Sequence, residues 1–155
     1  MKTRTIALTL ALSLSGLAVA FAADDPNMGT WKLNEAKSKL SATMNKNHTV
    51  VYAADGDNVK VTVDGTDATG KATHSEWTGK FDGKPYAVTG DATSDMRTYK
   101  RIDTHTLTLA STLAGKATLS GTVVVSADGK TRTVTTTFTD ASGKTSASTS
   151  VYDKQ

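Results

Sequence analysis

The feature that most constrains this chain is its punctuation. From residue 29 onward, runs rich in Thr and Val are broken at short, regular intervals by glycine turns. Six are explicit: Asp55-Gly56-Asp57-Asn58, Asp64-Gly65, Asp82-Gly83-Lys84, Ala114-Gly115-Lys116, Asp128-Gly129-Lys130 and Ser142-Gly143-Lys144. Glycine supplies the positive φ of a tight hairpin, and aspartate bonds its own backbone two residues on. Strands separated this way at about 8–12 residues make a meandering all-β fold. The spacing predicts strands over 29–34, 47–54, 58–64, 71–81, 96–102, 106–113, 117–126, 131–139 and 145–153, with a short extra strand near 85–88.

Period-two alternation supports the assignment. Val59, Val61 and Val63 share a face opposite Lys60, Thr62 and Asp64. Leu107 and Leu109 alternate with threonines, as do Val134 and Phe138. Such strands bury one face and wet the other. Hairpin links between consecutive strands favour an up-and-down order. A sheet this wide leaves two exposed edges unless it closes. The expected fold is therefore an up-and-down antiparallel β-barrel of eight to ten strands. The longer connection 35–46 is expected to hold a short helical turn or a lid.

Residues 1–22 read as a signal peptide. Lys2 and Arg4 precede the apolar run Ile6–Ala20, which is short for a membrane span, and Ala20-Phe21-Ala22 fits the small-x-small cleavage rule. Residues 23–155 then form a single domain, periplasmic or secreted, with no membrane span. Without Lys2 and Arg4 the 18 basic residues become 16 against 15 acidic ones, a net +1, so nucleic acid is not an expected partner. The sequence contains no cysteine, which excludes disulfides, thiol nucleophiles and Cys-type zinc sites. A monomer is expected.

Two segments carry a resemblance. "GTWKLN" and "STSVYDKQ" resemble the first and last strands of the calycins, the lipocalins and fatty-acid-binding proteins. The whole of 29–155, through "GTWKLNEAKSKL", "VKVTVDG", "DGKPYAVTG", "YKRID", "SADGKTRTVT" and "VYDKQ", is similar to a group of bacterial secreted lipocalin-like proteins of unassigned function. The resemblance implies a barrel around a small-molecule cavity, with Trp31 across the closed end. In fatty-acid-binding proteins an Arg and a Tyr on the last strand clamp the ligand carboxylate. Here Tyr152 stands at the Tyr position but Ser150 at the Arg position, so that clamp does not carry over.

A substitute cation is offered by "MRTYKRI". Arg97, Tyr99 and Arg101 alternate on one face of that strand, and Met96, Thr98, Lys100 and Ile102 on the other. Alternation defines the two sets but not which is inside. If the arginines point inward, they can grip an anion. The expected ligand wall is Trp31, Trp77, Phe81, Tyr99, Phe138 and Tyr152, with Arg97 and Arg101 as polar anchor. Ser75, Ala110, Ser111, Gly121, Thr136 and Ser148 leave the inner faces short of bulk, as a hydrated cavity or a flattened barrel requires.

Other motifs carry less. Gly65 to Lys71 has the spacing of a phosphate-binding loop, but Ala72 replaces the metal-binding hydroxyl and no helix follows. His48, His74 and His105 have no metal-ligand spacing. No nucleophile–base arrangement is visible. Neither metal, cofactor nor catalysis is expected. The expected function is binding of a small, apolar or amphipathic molecule inside the barrel. The alternative is a non-catalytic envelope stress or interaction module, packed inside and acting through its surface.

Overall fold

The computed structural model describes residues 25–155. The segment read as a signal peptide, 1–22, lies outside them. The described residues are all-β, with ten strands: β1 (Gly29–Leu33), β2 (Lys46–Asp55), β3 (Asn58–Thr66), β4 (Ala72–Gly79), β5 (Asp82–Thr89), β6 (Met96–Arg101), β7 (Thr106–Leu113), β8 (Lys116–Val125), β9 (Thr131–Thr139) and β10 (Thr145–Lys154). Each pairs antiparallel with its neighbours in sequence, and β1 also pairs with β10, which closes the barrel. Trp31 sits at the seam, opposite Val50 on one side and Lys154 on the other. Closure removes both free edges.

The structure corrects the sequence reading in three places, one of them the expected turn Asp82-Gly83-Lys84, which lies inside β5 at an irregularity in its pairing with β6. A single strand over 71–81 with a short extra one near 85–88 is instead two full strands, β4 and β5, divided at residues 80–81. Asp64-Gly65 is no turn: β3 runs through it to Thr66, and the reversal comes at 67–71. There Asp67 accepts from the amides of Thr69 and Lys71. Gly65 instead lies beside a β2 bulge, where a Cβ would stand 2.1 Å from the Lys46 carbonyl oxygen. The wall is thinnest between β4 and β5, paired only at Glu76–Thr89 and Trp77–Val88.

Up-and-down order sorts the connections between two ends. One end carries residues 25–28, the β2–β3 hairpin and the links 80–81, 102–105 and 126–130. The other carries 34–45, 67–71, 90–95, 114–115 and 140–144. The first end is plugged. The Asn27 side chain is fully buried there and donates to the Thr104 carbonyl, and the Asn27 carbonyl accepts from Trp31 Nε1 at 3.0 Å. Asp25 pairs with Arg101 across the same end. Above this plug lies the core, including Trp31, Trp77, Leu107, Val61, Val123 and Val125.

Candidate functional site

The strand alternation that builds the core also builds a cavity. It opens toward the end that carries 34–45 and measures about 160 Å³. Its wall is graded. Thr43, Met44, Asn45, Gly90, Asp91 and Thr93 line it from the open-end loops, with Asn47 and Thr73 from the adjoining strand ends. Val50, Val63, Leu109, Leu119, Val123, Val134 and Phe138 form an apolar belt, with Ser75, Thr136, Ser148 and Ser150 among them. Tyr52, Tyr99, Tyr152, Arg97 and Arg132 complete the lining.

On β6 the inward set is the arginine set: Tyr99 is buried and Lys100 exposed. The two arginines nevertheless go to different places. Arg97 lines the cavity, but its guanidinium is already engaged: Nη2 donates to Asp91 Oδ2 at 2.8 Å and Nε to the Ser111 hydroxyl at 3.1 Å. Asp91 also accepts from Thr93 and Ser94. Burial by itself would raise the Asp91 carboxyl, yet these hydrogen bonds and the Arg97 charge hold it below the ordinary value. Arg101 stands outside the cavity, paired with Asp25 and lying 5.1 Å over the Phe81 ring.

The expected wall divides similarly. Tyr99, Phe138 and Tyr152 line the cavity. Trp31, Trp77 and Phe81 do not; they pack beneath it. Trp77 stacks on Phe81 at 6.3 Å, meets Tyr99 edge-on at 4.9 Å, and gives its Nε1 proton to the Arg97 carbonyl. Of the small inward residues, Ser75, Thr136 and Ser148 border the cavity. Ala110 faces outward and is exposed, as it must with Ser111 buried next to it. His74 lies on the outer surface, with Nδ1 2.7 Å from Asp64; that hydrogen bond raises its pKa. The connection 35–46 holds a 3-10 turn over Glu35–Lys37, and Lys39 bridges to Thr149.

Arg132 on β9 was not among the expected site residues. It is 1% exposed, and its Nε and Nη1 have no hydrogen-bond partner among the described residues. Its guanidinium lies 4.8 Å from the Tyr152 ring centre, 4.9 Å from Tyr52 and 5.0 Å from Trp31. Burial pushes the Tyr52 and Tyr152 phenols up, so both stay protonated. The Tyr52 and Tyr99 hydroxyls are 3.4 Å apart. A signal for Arg132 was present in the sequence: continuing the face of Val134, Thr136 and Phe138 two residues backward reaches it.

No family model and no curated protein matches this chain.

Proposed function

We propose that this protein binds a compact, partly apolar small molecule inside its barrel. One observation carries the reading: the barrel is plugged at one end and hollow toward the other, with an apolar belt around the hollow. A packed barrel acting through its surface has less to support it, because Ser75, Thr136 and Ser148 stand where larger side chains would fill the space. The volume favours a compact occupant. A dry cavity of about 150 Å³ accommodates benzene, whereas pockets for drug-sized ligands run to about 300–1,000 Å³. A long acyl chain is therefore a poor fit.

The lipocalin-like kinship remains part of this proposal, supported by Trp31 lying beneath the cavity at the closed end. So does export, on the leader read at 1–22. The test is native mass spectrometry of the protein purified gently from cells expressing the full sequence. A reproducible added mass that disappears on denaturation is the expected result. A clean apo mass, with no change in tryptophan fluorescence across a panel of small apolar compounds, would remove the reading.

A further inference from the structure

The three inward-facing arginines are not equivalent. Arg97 has Asp91 and Arg101 has Asp25. Arg132, the most deeply buried of the three, has no acidic partner among the described residues. Arginine stays charged inside a protein. The ring faces of Trp31, Tyr52 and Tyr152 recover part of its lost hydration. They do nothing for the donors in the guanidinium plane, where Nε and Nη1 are buried with no hydrogen-bond partner among the described residues. A buried charge without a counter-ion is among the costliest features a fold can hold, and an apolar side chain of similar size would be cheaper. The neighbouring phenols cannot balance it, because they remain neutral.

We propose that Arg132 is the anion anchor of the cavity, and that the occupant is a compact organic carboxylate bound with its charged group toward Arg132. This rests on the reading of the cavity as a small-molecule site and names the ligand class for it. The apolar body would lie in the belt formed by Val50, Val63, Leu109, Leu119, Val134 and Phe138. One unpaired positive charge is balanced by one negative charge, which favours a carboxylate over a phosphate dianion. Tyr52 and Tyr152, whose rings flank the guanidinium, carry phenolic donors suited to the remaining carboxylate lone pairs. Arg97 is not the anchor, since Asp91 already occupies it. The volume limits the acid to a single ring or a short branched chain.

The test compares benzoate with benzamide, its neutral isostere, by titration calorimetry on the full-length wild-type protein and on Arg132→Met. Wild type is expected to bind benzoate roughly ten- to a hundredfold more tightly than benzamide, the range of a charge-assisted hydrogen bond. Arg132→Met is expected to lose that preference while still binding benzamide. It is also expected to melt no lower than wild type, because it removes an unpaired buried charge. A purely structural cation, held for its contacts with the three rings, would instead lower the melting temperature and leave the preference intact. Equal binding of the two probes by wild type would overturn the anchor and leave the cavity reading standing. Binding of neither, together with a clean apo mass, would overturn both. If Arg132→Met does not fold, the wild-type comparison still decides.

Discussion

The two ends of the barrel are made from the same strands and the same alternation, yet one is solid and the other hollow. On β4, Trp77 fills the space near the plug, while Ser75 and Thr73, two and four residues away, leave it empty. On β10, the buried Tyr152 bounds the cavity toward the plug, and Ser150 and Ser148 line its side. Strand β6 has an arginine toward each end. Arg101 ties β6 to the plug through Asp25, and Arg97 ties it to the 90–95 loop through Asp91. The period of two decides which side chains face inward. Their volumes decide whether the inside is a core or a container.

The sharpest way to break this comparison is to truncate one aromatic from each end. Trp31→Ala should cost about 3–5 kcal/mol, the range for a large buried aromatic. Trp31 is fully buried, its Nε1 donates to Asn27, and it carries the Arg132 and Lys154 cations on its ring. Phe138→Ala should cost clearly less, because one side of that ring borders the cavity rather than other atoms. Urea unfolding midpoints would measure both. Equal losses would mean that the hollow end is packed in solution.

Enlarging side chains probes the same difference from the other side. A Cβ at Gly79 would stand 2.6 Å from the Tyr86 ring and 2.7 Å from Trp77 Cζ2. Both rings are held in an edge-on pair, so neither can easily give way. Gly79→Ala should cost about 1–3 kcal/mol, as overpacking does. Ser75→Val adds bulk at the cavity wall and should be neutral or stabilising by thermal melting, while weakening any interior binding. If Gly79→Ala is tolerated and Ser75→Val is not, the solid and hollow ends have been assigned the wrong way round.

Both ends should respond to acid. Asp25 and Asp91 are each pushed up by burial and pulled down further by hydrogen bonds and an arginine, so both fall below the ordinary 3.8. The folded state then binds fewer protons than the unfolded state near that pH, and stability rises with pH there. The contribution is fully present above 3.8 and is lost as pH falls through the lower folded values. Asp91→Asn removes the open-end share. Its unfolding free energy should be lower than wild type at pH 7, with a shallower decline below pH 4. An unchanged acid limb would show that Asp91 does not carry the coupling.

The fold was largely legible because its signals are local. Glycine turns mark hairpins, and alternation marks faces, without any knowledge of the partner strand. The exceptions have local causes too. Asp64-Gly65 has turn composition, but its glycine serves a close approach to the Lys46 carbonyl. The β4–β5 reversal falls at Lys80-Phe81, just before the Asp82-Gly83-Lys84 expected to make it, and Gly83, with φ of 81°, lies inside β5. The site was less legible because facing inward does not reveal height along the barrel. Trp31, Trp77, Phe81 and Arg101 come near the closed end, while Tyr99, Phe138 and Tyr152 reach the cavity. Height depends on strand tilt and register, which are set by pairs distant in sequence such as Trp31–Lys154. Arg132 was obscured by its place just after the Asp128-Gly129-Lys130 turn, where a basic residue reads as solvated.

The smallest expected effect lies in a turn at the open end. β7 and β8 are joined by only Ala114 and Gly115, with φ of 50° and 77° and Leu113 opposite Lys116. Positive φ at both central residues is the mark of a type I′ hairpin, which favours Asn-Gly. Alanine in this left-handed region crowds its Cβ against the following carbonyl, at a cost of roughly 1 kcal/mol or more. The Asp95 carboxylate accepts the Ala114 amide at 2.8 Å and helps to hold the turn. Ala114→Asn keeps that amide and should stabilise by about 0.5–1 kcal/mol, a rise of a few degrees in melting temperature. Ala114 does not line the cavity, so interior binding should not change. A stability gain with unchanged binding would separate the rim of the open end from its interior. A change in binding as well would show that the turn and the cavity wall move together, and the hollow end would then have to be treated as one mechanical unit.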